Sequence, residues 1–172
     1  IFIILFFISK TSTAKEHLYY KIGIFDYKHE TGGLALNVKK VTDSTFNILN
    51  FEEITQIYEF TGFIDKDNYF SGEGKPKKRE EYSIYISSGF QKSFKLSNNF
   101  SLVPSFSVGL YQEFDDGKDM GFPVEFKSEM ELNYNFFKNS LFGITWNHIS
   151  NADIGERNPG SDSVLFNFKN NF

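Results

Sequence analysis

From Tyr82 to the end of the chain, apolar and polar residues alternate with a period of two, and the parity holds within each run. Over 82–95, Tyr82, Ile84, Ile86, Phe90 and Phe94 alternate with Ser83, Ser87, Gln91, Ser93 and Lys95. Over 100–114, Phe100, Leu102, Phe106, Val108, Leu110 and Phe114 alternate with Ser101, Ser105, Ser107, Gly109 and Glu113. Over 122–136, Phe122, Val124, Phe126, Met130, Leu132, Tyr134 and Phe136 oppose Glu125, Lys127, Glu129, Glu131, Asn133 and Asn135. Phe142, Ile144 and Trp146 then alternate with Gly143, Thr145 and Asn147, and Val164, Phe166, Phe168 and Phe172 with Ser163, Asn167, Lys169 and Asn171. Residues two apart on a strand share a face, so each run predicts a strand with one apolar and one polar side. Three weaker runs, near 17–27, 33–41 and 52–64, bring the expected total to eight strands. Helical spacing is not sustained anywhere.

Period two does not say which face is buried. A lipocalin-like barrel puts the apolar face inside; an outer-membrane barrel turns it to lipid and keeps a polar interior. Three features favour the membrane barrel. The polar face of 122–136 carries close charges of both signs, Glu125, Lys127, Glu129 and Glu131, as a small polar lumen requires. The strands run to about 10–14 residues, enough to cross a bilayer when tilted. The chain ends on Phe172 in an alternating aromatic strand, which resembles the terminal assembly signal of such barrels, although Asn170 stands where an aromatic is usual. The expected fold is all-β, an eight-stranded antiparallel transmembrane β-barrel of the bacterial outer membrane. With both termini periplasmic, connections 3–4, 5–6 and 7–8 are expected outside and long, near 65–81, 115–121 and 151–161. The connections at 96–99 and 137–139 are short and inside, while the one near 42–51 is longer than the rule expects.

Composition narrows the chemistry. Twenty-two Phe and 9 Tyr make the chain 19% aromatic with Trp, and interleaved polar residues keep its mean hydropathy polar. With 18 Lys+Arg against 22 Asp+Glu, the net charge of -4 argues against a nucleic-acid partner. The absence of cysteine excludes disulfides, thiolate metal sites and a cysteine nucleophile. His17, His29 and His148 are too far apart for a histidine metal motif, and no metal or cofactor is implied. The apolar run Ile1–Ile8, followed by Lys10 and Ser12-Thr-Ala14, is too short to span as a helix. It reads as the end of a signal peptide over 1–14, with one barrel domain over 15–172; a buried strand is the plainer alternative.

Polar groups on a lipid-facing row are costly, so they are functional candidates. His148 and Ser150 continue the outward row Phe142, Ile144, Trp146 toward the extracellular rim, and Asp162 begins the next outward row after an intervening loop. A serine, a histidine and a carboxylate can thus meet on the outside of one hairpin, the set needed for acyl transfer. Taken singly, each has a plainer reading: a chance His-x-Ser, a rim histidine beside lipid headgroups, a turn aspartate. The run Lys75-Pro-Lys-Lys-Arg79 reads as a solvated loop, or as a contact for lipopolysaccharide phosphates.

Trp146-Asn-His148-Ile-Ser150-Asn151-Ala152 followed by Asn158-Pro159-Gly160-Ser-Asp162 resembles the signature of the lipid A 3-O-deacylase (acyloxyacyl hydrolase) family. Gly109-Leu-Tyr111, Asp116-Gly-Lys-Asp-Met-Gly121 and Glu125-Phe-Lys-Ser128 resemble softer family blocks, so the likeness covers roughly 82–172. The resemblance implies an outer-membrane esterase acting on lipid A in the outer leaflet. His148 would be the catalytic histidine, Ser150 the nucleophile, Asp162 the acidic member and Asn151 an oxyanion contributor. Two departures predict weaker or altered activity: Asp162 replaces a more usual Glu, and Asp153 replaces a Gly that helps form the oxyanion hole. A structural or adhesive barrel without activity and a soluble lipid-binding barrel are the competing readings, and a homodimer is left open. A membrane barrel is expected to need detergent for extraction and to migrate differently on gels before and after boiling; release into buffer without detergent would select the soluble barrel.

Overall fold

A strand that crosses lipid must pair every backbone polar group within the protein, which only a closed sheet achieves. The computed structural model describes residues 17–26, 33–48, 51–66, 80–114, 118–137 and 140–170. They form β1 (His17–Phe25), β2 (Gly33–Ile48), β3 (Phe51–Lys66), β4 (Glu80–Gln91), the two-residue β5 (Phe94–Lys95), β6 (Phe100–Phe114), β7 (Val124–Phe137), β8 (Ser140–Ser150) and β9 (Ser161–Asn170). The long strands follow one another as antiparallel neighbours, β9 pairs with β1, and β4 pairs with β6, so the eight long strands close into a barrel. β5 pairs only with β6, as Phe94 opposite Leu102, and lies at the periplasmic lip.

The wall carries the expected parity. Ile86, Phe106, Val108, Leu132, Phe142, Ile144, Trp146 and Phe166 are exposed, while Ser83, Lys127, Glu129, Glu131, Asn133, Thr145 and Asn167 on the intervening positions are buried. The stretch expected as a long connection near 42–51 is instead mostly strand. β2 and β3 run together almost to their tips and leave only 49–50 between them. The register shifts between Val41 and Thr45 and again between Phe46 and Ile48. Bulges insert residues on one strand without ending the pairing, so the alternation is lost while the ladder continues. The facing ends of β1 and β2, Phe25 and Gly33, also lie at the extracellular end, beside the start of β9. The signal-peptide region, the basic run 75–79 and Phe172 lie outside the described residues.

The lumen is filled by paired charge. Lys21 donates to Glu129 at 2.6 Å and to Glu131 at 2.7 Å, and Lys39 donates to the same two carboxylates at 3.1 and 2.5 Å. Lys127 pairs with Glu59 and, at 3.3 Å, with Glu129. These side chains are almost wholly buried. They come from β1, β2, β3 and β7, and in the closed order β7 stands across the lumen from β2. The network therefore ties opposite walls together. Toward the periplasmic end the amides take over: Asn167 donates to Asn133 and Thr145 donates to Asn167. At the extracellular end Phe25, Phe63, Tyr85, Tyr111, Met120 and Leu165 close the lumen with an apolar plug, the rings of Phe25 and Phe63 lying 4.3 Å apart.

A buried ion that loses its partner costs about 3–5 kcal/mol. Glu129→Gln, which leaves three lysines facing two glutamates, is expected to lower sharply the temperature at which the folded gel form is lost. Ile144→Ala, on the lipid face, should lower it far less. Equal losses would mean that the ion network does not hold the barrel.

Candidate active site

β8 runs outward to the extracellular rim, and its lipid-facing row is Phe142, Ile144, Trp146, His148 and Ser150. The first three are exposed apolar residues. His148 lies directly opposite Asp162 on β9 and opposite Ser128 on β7. Its Nδ1 is 3.3 Å from Asp162 Oδ1. Asp162 belongs by parity to the outward row of Val164 and Phe166, yet it is only 5% exposed. The carboxylate is thus covered, while the imidazole keeps a side chain 40% exposed on the outer face. A carboxylate on Nδ1 fixes the tautomer that leaves Nε2 free to accept a proton.

Ser150 sits two residues beyond His148 on the same face and is half-buried. Residues at i and i+2 of a strand lie about 7 Å apart along it, within combined reach of a serine and a histidine side chain. The structure thus joins His148 to Asp162 by a hydrogen bond and places Ser150 on their face, one step nearer the rim. Gly160 approaches from above: a Cβ on it would lie 3.1 Å from His148 Cε1 and 3.6 Å from Nε2. Its φ of +63° also favours glycine.

The loop after Ser150 is tightly built. Ile154 N–H donates to Asn151 O at 3.2 Å, closing a turn with Ala152 and Asp153 at φ +53° and +60°. Positive φ at both central residues is the signature of a type I′ turn. For L residues this conformation costs roughly 1–2 kcal/mol each, so the surroundings must hold it. Asn151 is fully buried and supplies part of that hold. Its Nδ2 donates to Met120 O at 2.9 Å and to Arg157 O at 2.7 Å, and its backbone N–H donates to Asn158 Oδ1 at 3.1 Å. All of the donors on Asn151 are therefore committed to the loop. Met120 in turn belongs to the lumen plug, and Arg157 pairs with Asp119 across the same two loops. Gly121 makes the loop contact feasible, because a Cβ there would lie 2.2 Å from Arg157 O.

Three residues at this site were not singled out by the alternation. Ser128 interrupts the outward row Phe126, Met130, Leu132 beside His148, and a polar residue at lipid-facing parity was the available signal. Asn158 and Gly160 lie in a loop, where no periodicity marks a role. Among the described residues no group of three His, Cys, Asp or Glu side chains is placed to hold a metal.

Comparisons with known proteins bear on the family and the fold. A family model described as lipid A 3-O-deacylase (PagL) matches residues 55–171. No curated protein matches the sequence. Among solved structures, the outer membrane enzyme PagL is similar at 14% identity and a TM-score of 0.58, over 92% of this chain and 100% of that one. Neisserial surface protein A (NspA) is similar at 10% identity and a TM-score of 0.65, over 92% and 99%. The Yersinia pestis outer membrane protein Ail is similar at 14% identity and a TM-score of 0.52, over 90% and 99%. At these identities the solved structures speak for the fold alone.

Gly160→Ala is expected to strain the loop and push the imidazole off its position. Misplacing a catalytic group by about 1 Å can cost around 100-fold, so ester hydrolysis should fall by an order of magnitude or more while the folded gel form persists. Unchanged hydrolysis would show that this contact does not position His148.

Proposed function

The chain belongs to the lipid A 3-O-deacylase (PagL) family, and on that premise we propose that it is a serine esterase that removes the 3-O-linked acyl chain of lipid A, releasing a 3-hydroxy fatty acid. Membership of the family makes it a carboxylic ester hydrolase, and fold and family together make it an outer-membrane barrel. The observation that carries the finer reading is the His148–Asp162 pair on the outside of an otherwise apolar wall, with Ser150 next on the same row. An outward-facing site is open to lipid A in the outer leaflet, so the substrate reaches it without entering the plugged lumen.

Ser150 Oγ attacks the ester carbonyl carbon while His148 Nε2 takes its proton. Asp162 holds Nδ1–H and stabilises the imidazolium. The tetrahedral oxyanion is met by the backbone N–H groups of Ala152 and Asp153, which the turn does not itself use. Asn151 serves by holding that turn down, since its own N–H groups are given to Asn158, Met120 and Arg157. Collapse of the intermediate breaks the C–O bond, and the imidazolium gives its proton to the departing sugar 3-oxygen. Water, deprotonated by His148, then attacks the acyl-Ser150 ester, releasing the fatty acid and restoring the serine. Each catalytic group comes from one chain, so the reaction needs no second copy.

Mass spectrometry of lipid A from outer membranes carrying the protein tests the reading. The parent is expected to remove one 3-hydroxyacyl mass. Ser150→Ala and His148→Asn should abolish that loss, as removal of either member of such a pair costs about 10⁶-fold in kcat. Asp162→Asn should cost about 10⁴-fold through the wrong tautomer. An unchanged spectrum from a folded, inserted parent would instead favour a structural or adhesive barrel.

A further inference from the structure

β1 ends at the extracellular rim on Phe25, which pairs with Ser163 of β9. One step further along the same register, Asp26 and Asp162 are the next opposed positions. Opposed positions of an antiparallel pair lie about 4.5–5.5 Å apart at Cα. Asp26 is fully buried and Asp162 nearly so. Two carboxylic acids thus stand side by side away from water, and Asp162 is the one bonded to the His148 imidazole. Asp26 leaves the strand at φ +55°, a conformation that Asp accepts more readily than most residues.

Like charges this close disfavour one another, and one of the two acids then keeps its proton. A proton on Asp162 would remove the charge that the imidazolium needs. A different loop supplies the remedy. Lys118 Nζ donates to Asp26 Oδ2 at 2.6 Å, and the lysine side chain is only 8% exposed. Its backbone is held as well: Tyr111 OH donates to Lys118 O at 2.9 Å, and Tyr111 belongs to the lumen plug. The ammonium therefore reaches Asp26 from a residue tied to the barrel interior, on the side of Asp162 away from His148. Among the described residues, the other ionisable groups at this rim sit elsewhere. Asp119 pairs with Arg157, and Asp153 accepts from Asn158. Glu125 lies buried at the inward parity of β7, and Glu113 and Glu156 are exposed. Ser128 opposite His148 and Gly33 opposite Phe25 carry no charge.

We propose that Lys118 is a positioning residue of the esterase: through Asp26 it offsets the second buried carboxylate, so that Asp162 stays ionised for His148. The inference rests on the reading of His148 as the base that activates Ser150, and adds what keeps its acid charged. Counting Lys118, Asp26 and Asp162 together, one net negative charge faces the imidazole, and the proton taken from Ser150 neutralises it. Without Lys118 the same proton would be held before the reaction starts.

The pH dependence of deacylation tests this, on the full chain in lipid vesicles with purified lipopolysaccharide, each variant matched for its folded gel form. Lys118→Met removes the cation bonded to Asp26. The added negative charge keeps protons on the site to higher pH, so the acidic limb of kcat/KM should move up by about one pH unit, as a charge within about 4–6 Å does. Asp26→Asn removes the carboxylate and leaves the lysine, and should move the limb down, a result that stands even if Lys118→Met folds poorly. The double variant Lys118→Met/Asp26→Asn should return to within about 0.3 pH unit of the parent, because the two changes cancel in charge. Lys118→Arg, which keeps the charge, should keep the parent limb. An unmoved limb in either folded single variant, shifts of the same sign in both, or an equal loss of rate at every pH would each overturn the proposal. An active Ser150→Ala control would instead overturn the nucleophile assignment beneath it.

Discussion

The ion network of the lumen is the interaction on which the rest of the molecule depends. Lys21, Lys39 and Lys127 face Glu59, Glu129 and Glu131 with their side chains almost wholly buried. Unpaired, any one of these charges would be prohibitive to bury. Paired, they fill the middle of the barrel with the polar faces of β1, β2, β3 and β7, and the pleat then turns the apolar faces to lipid. The interior is further sealed at its outer end by Phe25, Phe63, Tyr85, Tyr111 and Met120. Such a lumen has no passage for a lipid. Chemistry on a membrane substrate is left only the outer wall, and there the row of β8 changes from Ile144 and Trp146 to His148 and Ser150.

The wall and the outer loops share the work of the site. Strand pairing sets His148 opposite Asp162 with the precision of a ladder register, and neither residue needs a loop to find the other. The turn after Ser150 is different. It is held in a costly backbone conformation by Asn151 and Asn158, and through Met120 it is anchored to the lumen plug. The same plug that seals the barrel thus braces the backbone beside Ser150. Rigid strands place Ser150, His148 and Asp162 on one face, and the strained turn after Ser150 is braced by side chains of two loops.

The wall was legible in the sequence because its physics is periodic. Lipid outside and charge inside impose opposite demands on alternate residues, so Glu129 and Glu131 could be assigned inward and Leu132 and Tyr134 outward from spacing alone. His148, Ser150 and Asp162 were legible as candidates for the same reason, as polar residues on a row that should be apolar. Where the pattern breaks, the reading failed. The β2 bulges near Thr42–Thr45 read as a loop although the ladder runs on beneath them. Tyr85 and Tyr111 sit on inward positions, and alternation could not tell a plug from a wall. Asn151, taken as an oxyanion donor by likeness to relatives, has its donors turned into the loop. Asn158 entered only through the likeness of its Asn-Pro-Gly motif, because hydrogen bonds between loop residues leave no periodic trace.

The central claim is that Ser150, activated by His148 on the outer wall, is the nucleophile. It is tested most directly by treating the reconstituted protein with a lipid-like fluorophosphonate and mapping the adduct by peptide mass spectrometry. The account predicts a covalent adduct on Ser150, absent from His148→Asn and formed in parallel with loss of deacylation. An inactivated enzyme with Ser150 unmodified, or an adduct on Ser128 across the strand, would contradict it.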